Sequence, residues 1–271
     1  MATPRITVRP KQSLGQNFLI DDNIARNIAK SLKLQSEDIV IEIGPGQGAL
    51  TRHLMSSPKR LIAVEIDARA VEQLRSTITA KNVEIIHQDF LDISLKSISK
   101  KYDTKIRIVG NIPYHLTSPI LFKIFDEREA ISDITLTMQR EVAQRITGSP
   151  RTKEYGILSV FSQFYGIPKL LFNVSPNCFY PKPKVTSSVI QLLIRDELPG
   201  DVNLKLFHGI VKTVFGKRRK TLRNGLLYMP FEKEVLENIQ NSTDPVFIKR
   251  PEELSINDFI LLTNYIQQLL D

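Results

Sequence analysis

The stretch VIEIGPGQGALT (40–51) places Gly44, Gly46 and Gly48 directly after an apolar run. Glycines at a strand-to-helix turn let backbone approach a ligand closely and adopt dihedrals that other residues avoid. Their G-x-G-x-G spacing is not the G-x-G-x-x-G that cradles a dinucleotide pyrophosphate. With Glu42 just upstream, the loop suits a phosphate-free cation, such as the sulfonium of S-adenosylmethionine, better than an anion drawn to an open helix N-terminus. Glu65 closes LIAVE (61–65), 21 residues beyond Gly44, about where an acid binds ribose hydroxyls in doubly wound nucleotide sites. Asp89, in HQDF (87–90), offers an acceptor to an adenine amino group.

A fourth apolar run, IRIV (106–109), leads into Gly110-Asn111-Ile112-Pro113-Tyr114. This set suits methyl transfer to the exocyclic nitrogen of adenine. That nitrogen is a poor nucleophile because its lone pair is delocalised into the ring. Acceptors at both of its N–H groups favour a pyramidal nitrogen, and the Asn111 side-chain oxygen and the Ile112 carbonyl can supply them. Pro113 fixes φ and brings no competing N–H, while Tyr114 offers a face on which an extruded base can stack. No strong general base is needed, since the alkylated nitrogen sheds its proton readily. Residues 178–188, CFYPKPKVTSS, add Phe179 and Tyr180 for the other face of the base and Lys182 and Lys184 for phosphates. Taken singly, each segment is also an ordinary turn; in combination they point to one site.

Gly44, Glu65, Asp89 and Asn111 can meet only if the runs before them are neighbouring parallel strands. The runs at 39–43, 61–65, 83–86 and 106–109 read as strands buried on both faces. Helical patterns at about 48–57, 67–80 and 117–126 alternate with them, which predicts an α/β fold with a parallel sheet and its ligand at the carboxyl ends of the strands. Asp21 or Asp22 caps a first helix through Ile24, Ile28 and Leu32. A strand at 131–138, a helix at about 139–147 carrying Arg140 and Arg145, and a long antiparallel strand at 185–194 follow. The composition changes at RDELPGD (195–201), and helices at about 203–215, 217–228, 231–240 and 255–269 predict a small all-helical domain. The expected division is a basic segment at 1–20, a catalytic domain at 21–197 and a helical domain at 201–271.

Charge is unevenly spread. Residues 21–139 carry 16 Lys/Arg and 16 Asp/Glu, whereas the 271-residue chain has a net charge of +8. KTVFGKRRKTLR (212–223) holds six of the positive charges, among them Lys217, Arg218, Arg219, Lys220 and Arg223, with no acid. A balanced core with basic attachments suits an enzyme that meets a polyanion. The single cysteine, Cys178, excludes an intramolecular disulfide and a cysteine-based zinc cluster, and the four histidines show no ligand spacing, so no metal is expected. No apolar run approaches a membrane span. The cytoplasm is the default location, and no motif demands a dimer.

Together, Gln16-Asn17-Phe18-Leu19, EIGPGQGALT (42–51), QDF (88–90), NIPY (111–114), FYPKPKV (179–185) and GKRRKTLRN (216–224) resemble the rRNA adenine N6,N6-dimethyltransferases. The match runs in family order from about residue 11 to the C-terminus and is nearest to the bacterial small-subunit branch. The resemblance implies a Rossmann-like class I S-adenosylmethionine-dependent methyltransferase sheet of seven strands, one reversed, with a helical domain after it. It implies dimethylation of two adjacent adenines in the 3′-terminal hairpin loop of small-subunit rRNA, within the immature subunit and linked to its biogenesis. It puts Asn17 and Leu19 at the cofactor, on a segment that closes over it. Gly44, with Gly46 in the same loop, falls beside the methionine part, Glu65 at the ribose and Asp89 at the adenine. Asn111 bridges cofactor and target, and Tyr114 and Phe179 flank the flipped base. His115 departs from the small polar residue or Asn expected after NIPY.

The nearest rival is the large-subunit rRNA adenine methyltransferase of macrolide resistance, which shares the glycine loop and NIPY; FGKRRKTLRN favours the small-subunit branch. A nucleotide-dependent dehydrogenase fits the glycine spacing less well. An assembly factor that binds immature subunits without needing catalysis is the reading from another class.

Overall fold

The computed structural model describes residues 8–271, so residues 1–7 of the expected basic segment lie outside the described residues. The strands are β1 (Phe18–Leu19), β2 (Ile39–Ile43), β3 (Arg60–Glu65), β4 (Val83–His87), β5 (Ile106–Asn111), β6 (Ile131–Gln139), β7 (Gly166–Val174), β8 (Phe179–Tyr180) and β9 (Ser187–Ile194). The helices of the first half are α1 (Asp22–Ser31), α2 (Thr51–Leu54), α3 (Ala68–Thr77), α4 (Leu95–Tyr102), α5 (Thr117–Asp126) and α6 (Arg140–Ile146). Those of the second half are α7 (Ile157–Tyr165), α8 (Leu204–Gly216), α9 (Leu222–Leu226), α10 (Lys233–Asn241) and α11 (Ile256–Leu270).

Seven strands form one sheet in the order β4-β3-β2-β5-β6-β9-β7, and β1 pairs with β8 in a separate two-stranded sheet. β2 lies parallel to β3 and β5, with Ile43 opposite Val64 and Gly110. β9 runs antiparallel to β6, with Leu136 opposite Ile190, and is the reversed strand. All five residues of β2 are buried, as its continuous apolar run requires. β4 does not meet that expectation. It is an edge strand with a neighbour on one side only, so its residues stay partly exposed.

Local chemistry sets the element ends. Asp21 caps α1 by accepting from the Ile24 N–H at 3.0 Å, and α1 turns Ala25 and Ile28 inward. Asp67 caps α3, whose Ala70, Val71 and Leu74 are buried. The helix expected at 48–57 shrinks to the single turn of α2, because residues 46–50 are taken up by turns of the glycine loop. At the amino ends of the strands Arg107 bridges two acids. Its Nη1 donates to Asp38 at 2.8 Å, its Nε to Asp133 at 2.9 Å and its Nη2 to the Leu32 carbonyl at 2.6 Å.

The described residues divide into two compact units, 8–143 with 167–195 and 144–166 with 196–271. Within the expected catalytic domain of 21–197, residues 144–166 group instead with the helices. Residues 144–166 belong with the helices because Phe164 of α7 stacks on Phe207 at 4.4 Å and the buried Tyr155 hydroxyl donates to the Leu254 carbonyl at 2.8 Å. α7 and β7 were not read from the sequence. Pro168, Lys169 and the exposed Ile167 and Leu170 blur any strand alternation in β7. The helix expected at 217–228 is also shorter, since residues 217–220 form a turn before α9. Among the described residues, no helix is long and apolar enough to cross a membrane.

Candidate active site

The sheet order reverses between β2 and β5, and open α/β sheets bind ligands at that point, outside the carboxyl ends of the strands. A cleft of about 800 Å³, its open mouth included, lies there, lined by Gly44, Gly46, Glu65, Asp89 and Asn111 among others. The structure therefore brings the four strand-end residues of the sequence reading together. Backbone dihedrals explain the glycines: Gly44 and Gly46 have φ of 63° and 55°, in the left-handed region. Gly110 is required by contact instead. A Cβ there would lie 2.7 Å from the Ile43 carbonyl oxygen, so only glycine lets the ends of β2 and β5 close up.

Glu65 is buried and held by backbone. Its Oε2 accepts from the Gly46 N–H at 2.9 Å and its Oε1 from the Asp67 N–H at 2.9 Å. Burial pushes its carboxyl up, against the pull of those N–H groups. Asp89 accepts from the Leu91 N–H at 2.9 Å through Oδ1 alone, leaving Oδ2 to the cleft. Glu42 lies at an adjoining smaller cavity with Leu19, Gly44 and Asn111. It is 2% exposed with Oε2 unpaired, and burial pushes its carboxyl up to about 8. Among the described residues, the lining of the main cleft holds two acids and no Lys, Arg or His. A pyrophosphate would find no cation among these lining residues, whereas Glu65 and Asp89 offer acceptors to a nucleoside and suit a positive sulfonium, so the residues fit S-adenosylmethionine.

The N-terminal segment forms one wall. Leu14 to Phe18 line the cleft, and the Phe18 ring covers Gly46, where a Cβ would come within 2.8 Å of it. Asn111 holds this wall by donating from Nδ2 to the Asn17 carbonyl at 2.8 Å. That bond fixes which end of the Asn111 amide is the acceptor. Ile112 donates its N–H to the Thr137 carbonyl at 3.3 Å, which fixes the peptide beside it. The Tyr114 ring lines the cleft, and its hydroxyl shares a 2.8 Å hydrogen bond with Ser187 at the start of β9. Ser187 was missed in the sequence, because a serine opening a strand carries no local signal for a partner 73 residues away. His115 is exposed beside the cleft, and Gly15 packs on it so closely that a Cβ would come within 2.9 Å of the imidazole.

Phe179 is placed in the core. It is 3% exposed, packed with Leu19, Ala25 and Ile28 under the β1–β8 pair, and does not line the cleft. Pairing explains this, since Leu19 lies opposite Phe179 and Phe18 opposite Tyr180, which leaves Tyr180 the exposed aromatic. Lys182 and Lys184 are exposed on the loop that follows. Arg140 and Arg145, on α6, are exposed as well.

The basic run on the second unit divides. Arg218 donates from Nε to Glu252 at 3.1 Å and from its Nη atoms to the carbonyls of Lys153 and Thr152 at 2.9 and 3.1 Å. Arg223 is partly buried and donates to the Ser242 carbonyl at 2.6 Å. These two arginines hold structure together. Lys217, Arg219 and Lys220 are exposed, and Lys217 and Lys220 lie 4.3 and 5.5 Å from the centre of the Tyr228 ring. Among the described residues no group of three His, Cys, Asp or Glu could hold a metal ion.

A family model described as ribosomal RNA adenine dimethylase matches residues 8–268. The chain is 40% identical over 260 residues to the ribosomal RNA small subunit methyltransferase A of Francisella tularensis subsp. novicida, covering 95% of this chain and 98% of that protein. The crystal structure of a dimethyladenosine transferase from Plasmodium falciparum has the same fold, with a TM-score of 0.77 at 23% identity over 93% of this chain and 98% of that one. The 23S rRNA methyltransferase ErmE superposes with a TM-score of 0.66 at 26% identity, over 92% of this chain and all of that one. The sheet with helices on its faces is thus the class I methyltransferase fold, and the chain belongs to the ribosomal RNA adenine dimethylase family.

Proposed function

We propose that this chain dimethylates N6 of two adjacent adenines in the 3′-terminal hairpin loop of small-subunit rRNA, using S-adenosylmethionine and acting on the immature subunit. The observation that carries the reading is Asn111, whose amide is oriented by the Asn17 carbonyl at the switch point of the sheet, beside the Tyr114 ring. S-adenosylmethionine, when bound, supplies an electrophilic methyl group on a sulfonium. Glu65 and Asp89 hold the ribose and adenine through the lone pairs their backbone hydrogen bonds leave over. The Asn111 Oδ1 and the Ile112 carbonyl accept from the target amine and free its lone pair, and Tyr114, pinned by Ser187, stacks on the extruded ring. Phe179 supports this floor from below, through the β1–β8 pair, and Leu19 belongs to the same support.

The helical unit adds phosphate contacts through Lys217, Arg219 and Lys220, and Arg140, Arg145, Lys182 and Lys184 extend the cationic surface elsewhere on the chain. Affinity for RNA then falls steeply with salt, as counterions are released. The protein acts as a monomer.

The test uses immature small subunits that lack the modification. They are incubated with the protein and S-adenosylmethionine, and the digested RNA is examined by mass spectrometry. N6,N6-dimethyladenosine, with none formed on large-subunit RNA, is the expected result. If cofactor binds and no dimethyladenosine forms, the adenine assignment is wrong and subunit binding without catalysis takes its place.

A further inference from the structure

Gln16, which lines the cleft, and the buried Asp67, outside its lining, have no part in the chemistry above, yet they join its pieces. Asp67 caps α3, with Oδ1 accepting from the Arg69 N–H at 3.2 Å. A cap needs one oxygen. Oδ2 also accepts from the Gln16 Nε2 at 3.0 Å, across 51 residues of chain. The Gln16 Oε1 in turn accepts from the Lys11 N–H at 2.7 Å, which folds residues 11–16 into a loop. Asp67 reaches the other side as well, since its own N–H donates to Glu65. One residue past Gln16, the Asn17 carbonyl takes the Asn111 amide. A single path, Glu65–Asp67–Gln16–Asn17–Asn111, therefore runs around the cleft. The Asp67 side chain is 1% exposed. The Arg69 guanidinium, with Gln16 helping, holds its carboxyl well below the usual carboxylate range, so it remains an acceptor.

We infer that Gln16 and Asp67 are positioning residues that latch residues 11–17 over the cofactor and, through Asn17, aim the Asn111 amide at the target. Cofactor retention and the orientation of the acceptor oxygen become one linked property. The inference rests on the reading that this cleft holds S-adenosylmethionine.

The test compares wild type with Gln16→Ala, Gln16→Glu and the double variant Gln16→Glu, Asp67→Asn. Gln16→Ala deletes the Gln16 bond and leaves only the Lys11 ammonium, 3.9 Å from Asp67, to tie the segment there, and Gln16→Glu sets a second carboxylate against Asp67. In the double variant donor and acceptor exchange places: Asn at 67 donates to Glu at 16, its oxygen still caps α3, and the second Glu oxygen still accepts from Lys11. The exposed Arg69 guanidinium, whose Nη2 donates to the Asp67 Oδ2 at 2.6 Å in the wild type, turns to the Glu carboxylate instead. Calorimetric titration with S-adenosylmethionine, tryptic cleavage after Lys11 and single-turnover methyl transfer provide three readouts, with thermal unfolding as a check on the fold.

Gln16→Ala is expected to weaken cofactor binding about tenfold, the factor that one charge-assisted hydrogen bond carries. It should also speed cleavage after Lys11 and slow methyl transfer at saturating cofactor. Gln16→Glu should be worse on all three, and the double variant should recover most of each. Binding within twofold of wild type in Gln16→Ala, or no recovery in the double variant although it is folded, overturns the latch. Should wild type itself fail to bind S-adenosylmethionine, the proposed function fails and the latch with it. If only the variants match wild type, the latch alone is lost.

Discussion

The two ends of one sheet handle buried charge in opposite ways. At the amino ends, Arg107 sits between Asp38 and Asp133 and also donates to the Leu32 carbonyl, so both acids share one cation, although the buried Asp133 Oδ1 is left without a partner and burial raises that carboxyl. Burial works against the guanidinium, yet Asp133 and Asp38 raise its pKa overall. At the carboxyl ends, Glu42 and Glu65 lie near one another with no cation paired to either, and burial raises both. Asn111 and Asp89 there keep an oxygen each for a partner outside the protein. Acids that share a guanidinium serve stability, whereas acids without a paired cation at the carboxyl ends leave a charged or polar ligand something to satisfy.

If this contrast is sound, removing a charge at the amino end harms folding and leaves chemistry alone. Arg107→Ala strands two carboxylates and should cost about 3–5 kcal/mol in urea unfolding. Methyl transfer per folded molecule should stay near wild type; a specific loss of activity would break the comparison. Asn111→Ala is the converse. Single-turnover transfer should fall about 10²–10³-fold, as when one charge-stabilising hydrogen bond is lost from an active site. Unfolding should shift by no more than about 1 kcal/mol. Retained transfer would remove Asn111 from the mechanism.

Glu42 sharpens the comparison through pH. Its carboxyl is raised from 4.5 to about 8 in the folded chain, so between those values the folded form keeps a proton that the unfolded form has lost. Stability therefore falls as pH rises through that window, by up to about 1.4 kcal/mol per pH unit, and levels off above it. Glu42→Gln should flatten this slope and be the more stable protein at pH 8.5, while matching wild type near pH 4.5. Parallel stability curves for the two would mean that Glu42 is paired after all. The smallest effect belongs to Tyr114→Phe, which keeps the ring and loses only the bond to Ser187. About 0.5–1.5 kcal/mol of stability and a few-fold loss of transfer are expected. A loss as large as that of Asn111→Ala would make the hydroxyl, and not the ring, the working part.

The carboxyl end of the sheet was legible in the sequence because its ligand-type residues stand beside their strands. Glu65 ends its apolar run, Gly44, Asn111 and Asp89 follow theirs by one to three residues, and parallel pairing does the rest. The amino end was not legible. Asp38, Arg107 and Asp133 are isolated charges, and nothing local says that register will stack them. The same holds for the helical unit. KRRK reads as one basic run, yet Arg218 is withdrawn by Glu252 and two carbonyls while its neighbours stay at the surface.

By itself, the sequence determined which residues could do chemistry and in what order the strands bring them up. Those facts depend on residue type and on the period of apolar runs, which are local properties of the chain. Tertiary structure alone decided that Phe179 faces the core, that Ser187 steadies Tyr114 and that Asp67 holds Gln16. Each of these is a hydrogen bond or a packing contact between segments far apart in the chain, and its existence depends on register and burial that no single segment encodes.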